Sequence, residues 1–301
     1  MSSLRAFAAR QSRVRTAVLV IFAQLVTFGC TPGVIFYGDQ ALRAVVPDSE
    51  EFARALQRAA DDSGHKLALE WDPSTELTAA WLEDRLAQTD APLVVLSPYF
   101  SLFASDLADT HTELNFIGFG GGASGRANLT RVVFDRVPAM RDAGSLVRTW
   151  EDAGADRKAA ALFLTDSETR RAELDTLADS YRGEGSEGIR VNRFSAPPDR
   201  ETVRRVIRDL RAEGVNAFLV FIGPSNRSAL EVLQSEAVVF ATDFASGATS
   251  LGDAVLFSVE NHMDTGLTAA LNATSAGGGG TVTALSVIEI GGAYADPQFG
   301  V

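Results

Sequence analysis

Polar and aromatic residues recur in this sequence directly after runs of apolar residues that are typical of strands. Carboxylates, hydroxyls and aromatic rings together can bind a small polar molecule, because rings cover its flat apolar faces while paired hydrogen bonds fix its orientation. We therefore expect a ligand-binding site built from these side chains. The candidate ligand-binding residues are Asp39, Gln40, Ser97, Tyr99, Phe100, Asp166, Ser225, Asp243, Phe244 and Glu260.

The sequence shows no pattern that is typical of an enzyme or of a metal site. The three histidines are far apart and there is one cysteine, so no cluster with metal-ligand spacing is present. Ser97-Pro98-Tyr99 lacks the G-x-S-x-G pattern of an α/β-hydrolase. Gly120–Gly122 does not lead into a helix, as a dinucleotide-binding loop must, and is better interpreted as a hinge between domains. We expect a protein that is not an enzyme and needs no cofactor.

Each candidate residue also has a purely structural interpretation. Asp243 is equally suited to cap the turn that follows it, and Asp166 to cap the next helix. Tyr99 and Phe100 follow a proline, and either ring suits packing between domains. Glu260 precedes a segment that returns to the first half of the chain, where polar groups serve a hinge as well as a ligand. Both interpretations stay open at the level of sequence.

The elements that would position these residues alternate between apolar strands and amphipathic helices. Ala91–Leu96 is a continuous apolar run, which is typical of a strand buried on both faces of a parallel sheet, and Asn216–Ile222, apolar after its first residue, is also predicted as a buried strand. Repeated alternation of this kind predicts an α/β fold with doubly wound, Rossmann-like parallel sheets. Ligands of such sheets bind beyond the carboxyl ends of the strands, which is where the candidate residues fall.

The chain length and this alternation predict two α/β lobes joined by a hinge. We assign residues 1–29 to a signal peptide and residues 30–130 to an N-terminal lobe. A return helix at 263–276 completes that lobe. Residues 131–262 form the C-terminal lobe, and residues 277–301 form a crossover strand and a tail.

The N-terminus has the pattern of a secretion signal that ends at Cys30, the single cysteine of the chain. Four arginines and no acidic residue precede an apolar stretch, Ala17–Gly29, which is too short to span a membrane. The segment Val26–Cys30 resembles the bacterial lipobox, whose cysteine is acylated. We expect Cys30 to carry a lipid that tethers the protein to a membrane. A lone thiol in a secreted protein and an uncleaved anchor are the alternatives.

The charge of the chain bears on its partners. It carries 27 basic and 39 acidic residues, a formal net charge of −12, and loss of the four N-terminal arginines makes it more acidic still. A chain of this charge repels phosphate backbones, so nucleic acid is not expected as a partner. The hydrophobic content of 46% is ample for packed cores.

Three stretches, in this order along the chain, resemble the type I periplasmic-binding-protein fold. Arg131–Asp135 and then Lys158–Asp166 resemble the first crossover of that fold and the opening strand of its second domain. Val238–Asp243 resembles the strand whose terminal Asp commonly contacts ligand. Val255–Glu260 and then Asp264–Ala270 resemble the strand and helix that return to the first domain.

With the predicted lipid anchor, the chain is similar to the basic membrane protein group of nucleoside-binding lipoproteins. The resemblance implies a monomeric lipoprotein of the bacterial cell envelope, facing the periplasm or the exterior. It would bind a nucleoside- or sugar-like solute in an interlobe cleft for an ABC permease. The segment Gly38–Arg43 lacks the acidic-Asn-Phe pattern of that group. The alternative is therefore a ligand-free or sensory relative that contacts an envelope protein.

Overall fold

Two six-stranded sheets, each covered by helices, form two lobes. The computed structural model describes residues 33–46, 49–74, 79–120, 125–182, 188–235, 238–243, 254–275 and 279–295. Cys30 and Phe244, two residues of the sequence prediction, lie outside these ranges. Within them, no helix has both the length and the apolar character needed to cross a membrane.

The first lobe has a fully parallel sheet with the strand order β11-β5-β4-β3-β1-β2. Its strands are β1 (Val34–Gly38), β2 (Leu67–Trp71), β3 (Leu93–Leu96), β4 (Asn115–Phe119), β5 (Leu129–Asp135) and β11 (Gly280–Leu285). Its helices are α1 (Gln40–Val45), α2 (Ser49–Asp62), α3 (Ala80–Leu86), α4 (Ala104–Thr110) and α9 (Met263–Ser275), with a 3-10 turn at Phe100–Leu102.

The second lobe has the strand order β12-β10-β9-β8-β6-β7, in which β12 alone runs antiparallel to its described neighbour. Its strands are β6 (Ala159–Leu164), β7 (Arg190–Phe194), β8 (Ala217–Phe221), β9 (Val239–Asp243), β10 (Val255–Glu260) and β12 (Val287–Ile290). Its helices are α5 (Val137–Asp152), α6 (Glu168–Arg182), α7 (Arg200–Ala212), α8 (Asn226–Ser235) and α10 (Gly292–Ala295), with a 3-10 turn at Gly223–Ser225.

Hydrophobic packing on both faces of each sheet explains why these segments adopt this fold. The central strands β3 and β8 are buried along their whole length, as their continuous apolar sequences predict. Helix α7 buries Val203, Ile207 and Leu210, whose spacing places them on one helix face. The predicted doubly wound, two-lobed α/β architecture is confirmed.

Three short crossings join the lobes, and all three leave the carboxyl end of a strand. Arg136 connects β5 to α5, Asn261 and His262 connect β10 to α9, and Ser286 connects β11 to β12. The Ser286 amide donates to the Asp135 carbonyl (3.0 Å), and the Ser286 hydroxyl donates to Asn261 Oδ1 (2.5 Å). The crossings therefore bring the carboxyl ends of both sheets to the same junction.

The lobe boundary differs from the sequence prediction, which ended the first lobe at residue 130 and placed the hinge at Gly120–Gly122. Strand β5 pairs in parallel with β4, and Leu129 and Val132 pack in the two cores of the first lobe. Arg131–Asp135 therefore belongs to the first lobe. Gly120 precedes the connection between two adjacent strands of that lobe, and Gly121 and Gly122 lie outside the described residues.

The predicted C-terminal crossover strand is divided between the lobes. The apolar segment 281–290 forms β11 in the first sheet and β12 in the second, on either side of Ser286. Its alternating pattern is the same before and after that residue, so pairing with β5 or with β10 decides to which lobe each half belongs.

Candidate functional site

Asp39 and Ser97 lie at the carboxyl edge of the first sheet and are bonded to each other. The two strands that they follow, β1 and β3, are adjacent in the sheet. Asp39 accepts a hydrogen bond from the Ser97 hydroxyl (2.5 Å), and its other oxygen accepts from the Leu42 amide (2.8 Å) at the start of α1. Both side chains are buried. This pair therefore joins two strands and caps a helix, and its hydrogen-bonding groups are engaged within the protein.

The adjacent rings of Tyr99 and Phe100 have different environments. Phe100 has no exposed surface and stacks on Trp81 with ring centroids 5.9 Å apart. This corrects the prediction that Phe100 contacts ligand, because the turn after β3 directs its ring into the core. Tyr99 is half-buried and packs edge-on against Phe103, with ring centroids 5.8 Å apart. The neighbouring Leu102 is 68% exposed. Tyr99, Leu102 and Phe103 form the apolar lip of the first lobe.

Gln40 is hydrogen-bonded to the residue that follows β2, at the same edge of the sheet. Its side-chain amide donates to the backbone carbonyl of Asp72, and Asp72 Oδ1 in turn accepts from the Ser74 amide at 2.7 Å. Gln40 itself is half-buried. Its amide nitrogen is thus engaged in holding the loop that follows β2.

Arg131 is a buried cation of the first lobe that the sequence reasoning missed. Its guanidinium donates to the Ser101 carbonyl (2.7 Å) and to the Ser105 hydroxyl (3.2 Å). Burial lowers the pKa of Arg131, and the nearby charge of Arg126 lowers it further. The burial of Arg131 could have been predicted from the sequence, because alternation along β5 places residue 131 on the same face as the buried Leu129.

Four charged side chains, Arg136 of the first crossing and Arg170, Glu173 and Asp243 of the second lobe, form what we term the buried ion cluster. Arg136 donates to Glu173 Oε2 (3.2 Å) and to Asp243 Oδ2 (2.9 Å). Arg170 donates to Glu173 Oε2 at 2.8 Å and lies 3.7 Å from Asp243 Oδ2. Because Arg136 is the first crossing, the cluster anchors that crossing to the second lobe.

The buried ion cluster shows how Asp243 is engaged within the protein, and its contact with a ligand stays a prediction. Its side chain is 0% exposed, one carboxylate oxygen is paired with the two guanidinium groups, and the other accepts from Asn226 Nδ2. The carboxylate does lie at the end of β9, where the sequence placed it. It is engaged there in ion pairs with Arg136 and Arg170.

Arg170 is the most exposed member of the buried ion cluster, with 17% of its side chain accessible. Burial disfavours its charged form, but Asp243 and Glu173 outweigh burial and raise the pKa of Arg170. The guanidinium carbon lies 5.5 Å from the centroid of the Phe163 ring. Arg170 is therefore a permanently charged group at the carboxyl edge of β6.

Asp166 is exposed at the end of β6. The helix-capping role that competed for it is taken by the next residue, since Ser167 Oγ accepts from the Arg170 amide at 3.2 Å. Asp166 stays a candidate ligand residue. Ser225, in contrast, donates its hydroxyl hydrogen bond to the Pro198 carbonyl (2.7 Å) and holds the loop before α7.

Glu260 ends β10 at the second crossing and is 2% exposed. Burial raises the pKa of Glu260, and the charges of Glu289 and Asp243 raise it further. A hydrogen bond with Ser258 and the nearby His262 act in the opposite direction.

The side chains that remain accessible at the two carboxyl edges define the candidate cleft. The first lobe contributes Gln40 and the apolar lip, and the second lobe contributes Asp166 and Arg170. Among the described residues, no group of three His, Cys, Asp or Glu side chains is placed to hold a metal ion.

No protein-family model matches the sequence, and no curated protein sequence matches it. Solved structures do match this chain. A transcriptional activator of the comK gene from Bacillus halodurans is 15% identical, with a TM-score of 0.64 over 86% of this chain and 90% of its own. A solute-binding protein of an ABC transporter system from Aeropyrum pernix K1 is 14% identical, with a TM-score of 0.63 over 88% of this chain and 76% of its own. The Caulobacter myo-inositol binding protein, bound to myo-inositol, is 16% identical, with a TM-score of 0.55 over 85% and 92%.

These likenesses confirm that the chain has the type I periplasmic-binding-protein fold. That fold is common to solute-binding proteins and to regulators of transcription, as the first two of these structures illustrate. At 14–16% identity the likeness concerns the fold. Function must be argued from the cleft.

Proposed function

We propose that this protein binds a small polar solute, nucleoside- or sugar-like, in the candidate cleft between its lobes. The observation that carries the proposal is the position of the three crossings. All of them leave the carboxyl ends of strands, so the ligand-binding edges of two doubly wound sheets share one junction. Two lobes joined by short crossings can close around a solute by hinge rotation. The Aeropyrum and Caulobacter proteins of this fold are a solute-binding protein and a myo-inositol binding protein.

The two edges differ in chemistry in a way that suits a ring-bearing polar solute. The apolar lip, with Tyr99 and Phe103, can cover one face of a ring. Asp166 and Arg170 on the opposite lobe can accept and donate hydrogen bonds to its substituents. Rings and polar groups on opposite walls are a common arrangement for binding such molecules.

A binding role is also favoured over an enzymatic one. The two hydroxyl groups that the sequence placed at strand ends are both engaged, Ser97 with Asp39 and Ser225 with Pro198. Ser97 does have a carboxylate within hydrogen-bond reach, but both groups are buried and Asp39 also caps α1, so this hydroxyl group is not exposed to a substrate. We propose that the protein is not an enzyme.

The N-terminal sequence supports a membrane-tethered version of this role. A basic, apolar signal segment followed by Cys30 favours a lipoprotein of the bacterial cell envelope. A tether would hold the cleft near an ABC permease that receives the solute. The acidic surface leaves no reason to propose nucleic acid as a partner.

Solute binding is tested by thermal unfolding in the presence of nucleosides, monosaccharides, inositols and amino acids. A solute at 100 times its dissociation constant should add about 2.7 kcal/mol to the free energy of unfolding. Leu102→Asn should weaken binding of the active solute. The matched control is Ile290→Asn, another exposed apolar residue, which lies on β12 away from the carboxyl edge. If no solute raises the unfolding temperature, or both variants weaken binding equally, the proposed cleft is wrong.

The tether is tested by fractionating bacteria that express the full chain. We expect the protein in the membrane fraction with incorporation of labelled palmitate, and Cys30→Ala should abolish the label and release or mislocalise the protein. Thr31→Ala, at the adjacent position, is the control and should keep the label. A wild-type chain without palmitate would contradict the lipoprotein proposal and leave the solute-binding proposal intact.

A second candidate is a ligand-free relative that contacts an envelope protein. It is favoured by one observation: Asp39, Ser97 and Asp243 are already bonded within the protein. Affinity capture with the tethered chain distinguishes the two functions. Recovery of a permease supports solute delivery, whereas recovery of a kinase or a cell-wall enzyme, together with a negative solute screen, supports the second candidate.

A further inference from the structure

Glu260 lies directly beside two of the three crossings that join the lobes. It is the last residue of β10, directly before the second crossing, Asn261–His262. It also pairs across the sheet with Val287, the first residue after the third crossing, Ser286. Hinge rotation changes backbone dihedral angles at a few connecting residues, and here those residues are direct neighbours of Glu260.

The carboxyl group of Glu260 is buried without full compensation. Glu260 is 2% exposed, and its Oε1 atom has no hydrogen-bond partner among the residues that the structure describes. A buried carboxylate in this position is costly, whereas a protonated carboxyl group is tolerated. The same burial raises the pKa of Glu260.

The charged groups around Glu260 come from the second lobe and from the second crossing. Glu289 on β12 and Asp243 on β9 disfavour its ionised form, although Asp243 is itself paired with Arg136 and Arg170. His262 acts in the opposite direction. The His262 ring lies between two carboxylates, 3.4 Å from Glu289 of the second lobe and 3.8 Å from Asp264 of the first. The His262 ring therefore lies beside a carboxylate of each lobe.

We propose that Glu260 is a proton-dependent latch of the interlobe hinge. Its protonated form stabilises the arrangement of the lobes in this structure, and its ionisation favours a rotated, more open arrangement in which the carboxylate reaches water. This inference goes beyond solute binding, because it applies to the protein without any solute.

The direction of the pH effect follows from proton linkage. The arrangement that buries Glu260 has the higher pKa at this residue and binds more protons than a hydrated arrangement. The buried arrangement is therefore favoured below both pKa values and is lost as the pH rises through the raised one. Each unit of difference between the two pKa values changes the ratio of the arrangements by about tenfold.

The test is Förster transfer between dyes on the two lobes, measured from pH 5 to pH 8 without solute. Cys30 is the single native cysteine, so the full chain with Cys30→Ala can be labelled at Ala80→Cys and Thr169→Cys, exposed positions at the starts of α3 and α6. We expect transfer to fall as the pH rises. If the labelled chain with Glu260 intact shows no change in transfer between pH 5 and pH 8, the latch is wrong whatever the variants do.

Glu260→Gln removes the titrating group and should abolish the pH response while keeping high transfer at pH 8. Glu83→Gln, an exposed glutamate of α3, should keep the response. A response that survives in Glu260→Gln would overturn the proposal, because another group such as His262 would then control the hinge. Circular dichroism verifies folding, and Glu260→Met replaces the glutamine variant where that one does not fold. The solute screen can fail independently of this result.

Discussion

Asp243→Asn is expected to lower the free energy of unfolding by about 3–5 kcal/mol, the usual cost of removing one partner from a buried ion pair. The reason is that Arg136 and Arg170 both depend on the Asp243 carboxylate, and Glu173 then faces the two guanidinium charges without it. Asparagine keeps the size of the side chain, so packing changes little. Urea denaturation of the wild type and the variant measures the difference.

Asp152→Asn is the matched control for this effect. Asp152 accepts from Arg148 at 2.8 Å, close to the 2.9 Å of the Asp243–Arg136 pair, but its side chain is 57% exposed. We expect a loss of about 0.5 kcal/mol or less, because water already solvates both charges. Equal losses in the two variants would mean that the buried ion cluster does not anchor the first crossing as we describe.

Phe100→Ala is expected to destabilise the first lobe by about 3–5 kcal/mol, the usual cost of deleting a large buried aromatic side chain. The ring has no exposed surface and packs on Trp81 within the core formed by β1, β3 and the helices α3 and α4. The cavity left behind can close only partially. Thermal or chemical unfolding measures the loss.

Tyr99→Ala provides the contrast at the adjacent position. Tyr99 is half-buried on the apolar lip, so we expect a clearly smaller loss of stability than for Phe100→Ala. The main effect of Tyr99→Ala should be weaker binding of the solute that stabilises the wild type in the thermal unfolding screen. If Phe100→Ala unfolds no more easily than Tyr99→Ala, the assignment of Phe100 to the core is wrong.

The fold could be predicted from local patterns because those patterns reflect burial. Continuous apolar runs such as β3 and β8 are buried on both faces of a parallel sheet, and α7 shows its buried face through the spacing of Val203, Ile207 and Leu210. The order of such elements sufficed to predict two doubly wound lobes. Hydrophobic periodicity is local, so it can be observed without knowledge of the partners.

The lobe boundary could not be predicted in the same way. The local sequence of β5 does not show to which lobe it belongs, and its assignment depends on pairing with β4 and β11. The same holds for the division of 281–290 at Ser286. Strand pairing joins residues that are distant along the chain, and a single sequence does not record which pair forms.

The candidate residues illustrate where prediction from sequence ends. Their positions at strand ends follow from the alternation of strands and helices alone, and the described ones do lie there. Whether each side chain is available to a ligand was decided by partners far along the chain. Ser97 is 58 residues from Asp39, and Arg136 is 107 residues from Asp243. A carboxylate at a strand end can contact solvent, a hydroxyl group or a guanidinium group. Only the packed structure determines which of these contacts forms.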